Sequence, residues 1–180
     1  MKKIILAKLF LSIFAISLFS QEKPYHIKLI DPLDRPQDGY CLDVAGSGNY
    51  IRYDLPLIGH NCKPGLYADE AFIFRKDGTI YFPAFGLCAT ISGVNESVLD
   101  HTSLSLRECH VDSPFLNARF MQVFEYTKEK KIKHKHTNKC LVMGEESSST
   151  YSPDHTWRTL FMKECSKVDI KRSTWYFNKP

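Results

Sequence analysis

Six cysteines, taken in chain order, fall into three pairs of nearly equal spacing: Cys41 and Cys62 are 21 positions apart, Cys88 and Cys109 are 21 apart, and Cys140 and Cys165 are 25 apart. The stretch 39–62, opening Gly39-Tyr40-Cys41-Leu42-Asp43-Val44 and closing His60-Asn61-Cys62, is the clearest unit, and two altered copies follow it. Self-similarity of this kind constrains a fold strongly, because every copy must adopt the same supersecondary unit.

The register between copies extends beyond the cysteines. Phe72 precedes Ile80 by 8 positions and Ile80 precedes Cys88 by 8; Phe124, Ile132 and Cys140 repeat both intervals. From each second cysteine to the next anchor aromatic the distances are 10 (Phe72), 15 (Phe124) and 10 (Trp175). Within each unit the apolar residues alternate, as in half-buried strands: Leu42 and Val44, Ala89 and Ile91, Leu141 and Met143 after the first cysteine, and Leu104 and Leu106, Leu160 and Met162 before the second. Leu57 and Gly59 form the weakest pair. Alternation broken by turn residues, with no amphipathic helical pattern, predicts an all-β barrel or sandwich. Three equal units favour a closed threefold barrel, which removes exposed strand edges. Tyr25-His26-Ile27-Lys28-Leu29-Ile30 reads as a further strand, and Asp77-Gly78 as a hairpin turn whose counterpart, 127–131, is charged instead.

Equivalent positions should pair alike, so the repeat selects Cys41 with Cys62, Cys88 with Cys109 and Cys140 with Cys165. Each bridge would close a loop worth roughly 3 kcal/mol on the chain-entropy model. Bridges fit an exported protein, and residues 1–20 read as a secretion signal: Lys2, Lys3 and Lys8 precede an apolar run at 9–19 and a small residue, Ser17 or Ser20. That run is too short to span a bilayer. The remainder, 21–180, is expected to be one domain, secreted or, in a Gram-negative cell, periplasmic. Of the 24 lysines and arginines three lie in the leader, leaving 21 against 20 acids. So even a balance offers no general attraction to phosphate backbones, and nucleic acid is not an expected partner.

The chain resembles the ricin B-type β-trefoil lectins. The matching pieces are Cys41-Leu42-Asp43-Val44, Asp77-Gly78-Thr79-Ile80, Gln122-Val123-Phe124, Lys139-Cys140-Leu141 and Ser173-Thr174-Trp175, spread over 25–180. The resemblance implies a single β-trefoil of three disulfide-closed repeats and a non-catalytic carbohydrate-binding function. Glu70-Ala71-Phe72 and Ser173-Thr174-Trp175 depart from the family's Gln-x-Trp motif. Those aromatics belong to the family's core, so Phe72 and Phe124 can serve there.

A sugar pocket needs an acid or amide to accept hydrogen bonds from vicinal hydroxyls and a flat ring against the apolar face of the sugar. Carried over by position, the first unit supplies Asp43 as the acid, His60 in place of the usual aromatic, Ile58 where a polar residue is usual, and Asp69 with Glu70 where the family has an Asn-Gln pair. The second unit gives Thr90, Ser105, Arg107 and Gln122, and the third Val142, Phe161, Lys163 and Ser173, neither with the acid. The first unit also carries an insertion at 46–56 whose Tyr50 or Tyr53 can supply a ring. The expected carbohydrate-binding set is therefore Asp43, His60, Asp69, Glu70 and Tyr53.

Other signals are weaker. His134-Lys135-His136 places two imidazoles on one strand face, but two ligands without a third do not make a metal site, and neither metal nor cofactor is expected. Lys128, Lys130, Lys131, Lys133 and Lys135 form a basic run able to touch acidic glycans or simply to guard a strand edge. Asn95-Glu96-Ser97 is an acceptor sequence for N-glycosylation in a eukaryotic source, and Trp157 is a candidate sugar platform. No catalytic motif is present, and every cysteine has a structural partner, so the chain is not expected to be an enzyme. Glycans or glycoconjugates are the expected partners, with no membrane span, and oligomers are one route to useful avidity. The alternative is a trefoil whose sugar sites have decayed and which acts in protein–protein interaction.

Overall fold

A computed structural model describes residues 22–178; the proposed leader lies outside the described residues. The chain forms β1 His26–Leu29, β2 Tyr40–Asp43, β3 Ile58–Asn61, β4 Ile73–Phe74, β5 Ile80–Phe82, β6 Leu87–Ile91, β7 Thr102–Glu108, a short helix α1 Ala118–Met121, β8 Phe124–Tyr126, β9 Ile132–His134, β10 Lys139–Met143, β11 Ser148–Ser149, β12 Thr156–Glu164 and β13 Trp175–Asn178. All strand pairs are antiparallel.

Each repeat contains one long hairpin stapled by its disulfide. In β2–β3 Cys41 stands opposite His60, in β6–β7 Cys88 opposite Arg107, and in β10–β12 Cys140 opposite Lys163, so the first cysteine always faces the residue two before the second. The bridges are Cys41–Cys62, Cys88–Cys109 and Cys140–Cys165, as the repeat requires. The three hairpins meet one another: β12 pairs with both β3 and β7, and the Leu57 N–H donates to the Leu104 carbonyl at 2.8 Å.

A second set of pairs, β4–β5, β8–β9 and β13–β1, completes the barrel. Here β1 occupies the place that β5 and β9 hold in the other repeats, since Lys28 faces Cys41 as Tyr81 faces Cys88 and Lys133 faces Cys140. Ile27 is thus the third copy of Ile80 and Ile132, and all three are fully buried. The 31–38 loop lengthens the interval from Ile27 to Cys41, which hides this copy from sequence spacing. The backbone N–H groups of Phe72, Phe124 and Trp175 donate to the carbonyls of Tyr25, Gly78 and Lys130, three equivalent bonds that tie each anchor aromatic to another strand pair.

The core follows the repeat. Phe72, Phe124 and Trp175, with Leu42, Ala89, Leu141 and Leu57, Leu104, Leu160, form one continuous apolar cluster. The weak pair Leu57/Gly59 has a packing reason: a Cβ on Gly59 would stand 2.4 Å from Met143 Cε, so the methionine fills the space a side chain would take. Asp77-Gly78 does turn between β4 and β5, with Gly78 at φ +91°. Its counterpart in the charged turn is Lys130, which adopts φ +61°.

Candidate functional site

The first repeat carries the candidate site at the base of its hairpin. Asp43 ends β2 and His60 lies in β3, while Asp69 and Glu70 come from the loop that leads into Phe72. The Val44 N–H donates to the Asp69 carbonyl at 3.1 Å, and this bond carries that loop across the hairpin end. Asp43, His60, Asp69 and Glu70 thereby converge, and each is buried.

Lys63, the residue after Cys62, stands among them. Its Nζ lies 2.7 Å from Asp69 Oδ2, 3.0 Å from Asp43 Oδ2 and 4.0 Å from Glu70 Oε1. The Lys63 backbone N–H donates to Glu70 Oε2 at 3.1 Å, and His26 Nε2 stands 3.3 Å from the same oxygen. The His60 Nδ1–H donates to the Asn61 carbonyl at 2.9 Å, with Asp43 Oδ2 3.7 Å away. Three carboxylates therefore surround one ammonium. Three of their oxygens, Asp43 Oδ1, Asp69 Oδ1 and Glu70 Oε1, have no hydrogen-bond partner among the described residues.

The electrostatics follow from that imbalance. Burial pushes the Asp43 carboxyl well above the usual carboxylate range; Lys63 pulls it back, while Glu70 and Asp69 push it further. Burial depresses Lys63, but the facing Asp43, Asp69 and Glu70 outweigh it and hold the ammonium above its usual value. His60 titrates below its usual range because it is buried and Lys63 is near.

Asp43 itself is only 2% exposed. Beside the cluster lies an open polar cleft of about 600 Å³ whose lining includes His26, Lys28, Asn61, Lys63 and His155. His155, which lines the cleft, stacks on the buried His60 with ring centroids 5.7 Å apart and planes 25° from parallel, so its imidazole covers that of His60 and turns its other face outward. Tyr53 takes no part: it packs edge-on against Phe85 at 5.2 Å and is half exposed. Ile58 faces a different cavity, of about 870 Å³, walled largely by apolar side chains such as Leu55, Pro56, Tyr151, Trp157 and Phe161.

A family model for the ricin-type β-trefoil lectin domain matches residues 32–167. The chain belongs to that family. Among solved structures, the β-trefoil lectin of the Vibrio vulnificus hemolysin/cytolysin, with N-acetyl-D-lactosamine bound, is 13% identical, with 87% of this chain and 93% of that one covered at a TM-score of 0.55. Agglutinin from Abrus precatorius is 19% identical over 90% of this chain and 51% of its own, with a TM-score of 0.56. The C-half of the earthworm R-type lectin, in complex with GalNAc, is 12% identical over 87% and 98%, with a TM-score of 0.53. No curated protein matches the chain in sequence.

Within this ricin-type domain the other two repeats use the equivalent positions differently. Gln122 donates from Nε2 to Thr90 Oγ1 and to the Glu108 carbonyl, both at 2.9 Å, and its Oε1 accepts the His110 N–H at 2.8 Å. Gln122 therefore braces the second hairpin through both ends of its amide. In the third repeat Val142 stands where Asp43 stands in the first. The His134/His136 pair is engaged elsewhere: the His134 Nε2–H donates to the Phe120 carbonyl at 2.7 Å and His136 stacks on Phe120 at 5.0 Å. Of the basic run, Lys133 pairs with Glu125 at 2.9 Å. Among the described residues no helix is long and apolar enough to cross a membrane.

Sequence reasoning missed Lys63, His26 and His155. Lys63 had a legible signal, since it directly follows the second cysteine of the only unit with the acid. His26 and His155 had none, because they reach the first repeat from β1 and from the loop before β12.

Proposed function

We propose that this protein is exported and binds carbohydrate without acting as an enzyme, using the cleft beside the first-repeat cluster. The observation that carries the reading is that Lys63, held by the buried Asp43 and Asp69, and His155, stacked on His60, line one polar cleft. The charged Lys63 makes the stronger kind of hydrogen bond to hydroxyls, and the exposed His155 ring offers a face to the apolar side of a sugar ring. The sugars bound by the Vibrio vulnificus lectin and the earthworm lectin support the class of ligand. A single shallow cleft binds one sugar weakly, so multivalent display is the expected route to useful affinity.

The test is a glycan array with the mature chain and a His155→Ala variant, chosen because His155 is exposed and its loss leaves the core intact. Binding to one glycan class that drops at least tenfold in the variant supports the reading. Absence of binding to any glycan class sinks it.

A second reading, a protein-interaction module, is favoured by the near-complete burial of Asp43 and by the larger apolar cavity around Trp157 and Phe161. A Trp157→Ala chain that keeps glycan binding unchanged separates that surface from the cleft.

A further inference from the structure

The first-repeat cluster carries a charge that its own residues do not balance. Asp43, Asp69 and Glu70 place three buried carboxyl groups around the single ammonium of Lys63. Buried charges that lack partners are costly, and a folded chain neutralises them by protonation or by binding a counter-ion.

The donor positions suit a bound cation. An oxygen of Asp43, a ring nitrogen of His60 and an oxygen of Glu70 all lie within 4.8 Å of one another; ligation through Nδ1, 3.7 Å from Asp43 Oδ2, moves the ring proton to Nε2 and gives up the bond to the Asn61 carbonyl. Glu70 Oε1 is wholly buried, accepts no hydrogen bond among the described residues and points into the cluster, 4.0 Å from Lys63 Nζ. Asp43 Oδ1 is equally without a partner. Donors about 2.1 Å from a tetrahedral zinc stand about 3.4 Å apart, so groups that lie within 4.8 Å of one another need to close by up to about 1.4 Å.

Repeat symmetry shows why these oxygens are orphaned. Where the second repeat has Gln122, whose amide donates to Thr90 and to the Glu108 carbonyl, the first has Glu70, which has nothing to donate to Asp43 or to the Asn61 carbonyl. An acid thus faces an acid.

We propose that Asp43, His60 and Glu70 form a site for a divalent transition-metal ion of the zinc class. The imidazole selects such an ion over calcium or magnesium, which prefer all-oxygen shells. Lys63 is the stand-in cation of the metal-free protein. It lines the open cleft, which gives the ion a path inward, and it lies closer to Asp69 than to Asp43, so it keeps one carboxylate while yielding the other. The site stands independently of the carbohydrate reading, and its test contains no glycan.

The experiment titrates the purified mature protein with Zn²⁺ by calorimetry and by thermal unfolding, beside Glu70→Gln and His60→Gln. The expected result is one equivalent bound in the wild type, a melting temperature raised by several degrees and restored by EDTA, and at least tenfold weaker binding at that site in both variants. Glu70→Gln keeps the experiment informative because it reproduces the arrangement of Gln122 and should fold without metal. An unchanged wild-type melting temperature overturns the proposal. Equal binding by wild type and both variants does so too, since it puts the metal on exposed histidines.

Discussion

Glu70 and Gln122 stand at the same place in consecutive repeats, and each accepts the backbone N–H of the residue after its unit's second cysteine. Only Gln122 has an amide to give back. Glu70→Gln in metal-free protein should therefore stabilise the fold by about 1–2 kcal/mol, the usual penalty for an unsatisfied buried group. For a domain of this size that is a rise of roughly 2–8 °C in melting temperature, measurable in EDTA-treated samples. A fall would mean that the first repeat does not bond as the second does.

Lys63 should be the least replaceable residue of the cluster. Lys63→Met leaves three buried carboxylates facing one another, and removing one partner of a buried ion pair costs about 3–5 kcal/mol. Urea unfolding near neutral pH measures the loss. Lys63→Met unfolding at the wild-type midpoint would show that the ammonium contributes nothing.

Gly78 and Lys130 occupy equivalent turns, both with positive φ. A left-handed conformation costs a non-glycine residue roughly 1–2 kcal/mol, so Lys130→Gly should gain about 1 kcal/mol. Gly78→Ala should lose more, because its Cβ would also stand 2.6 Å from the Phe124 carbonyl oxygen. Chemical denaturation of the two variants checks both signs.

His134 should give the protein a pH-dependent stability. Burial pushes its imidazole below the usual value, with the bond to the Phe120 carbonyl acting in the opposite sense. The unfolded chain then takes up the proton first. This contribution is complete above about pH 6.5, the value for a free histidine, and is lost as pH falls through the lower folded value. His134→Leu, which copies Leu29 at the equivalent position of β1, should flatten the stability profile between pH 7.5 and the folded value. It should also cost about 1–3 kcal/mol near neutrality, because the Phe120 carbonyl loses its donor. A profile as steep as that of the wild type would assign the acid sensitivity to other groups.

The trefoil was legible because its repeat is written in residue types with few substitutes. Cysteine pairs, anchor aromatics and the Ile80/Ile132 pair keep their intervals wherever loops keep their length. Ile27 was unreadable as the third copy because the 31–38 loop changes its distance from Cys41. The site was legible in part. Asp43, His60, Asp69 and Glu70 follow from positions within one repeat, whereas His26 and His155 arrive from elsewhere in the chain through β-pairing that spacing does not encode. Burial of Asp43 was likewise invisible, because it depends on the loop carrying Asp69 crossing the hairpin end, a tertiary contact that spacing does not encode.

Pairing of β1 with β13, in register from His26 opposite Asn178 to Leu29 opposite Trp175, sets an order of events for biosynthesis. The strand made first has no partner on that edge until the strand made last exists. A nascent chain can close and oxidise its hairpins one after another, yet it remains an open, unlocked ribbon until 175–178 are complete. Closure by such distant segments is entropically slow, so the barrel locks only at the end of folding, after every disulfide-bearing hairpin has had time to form.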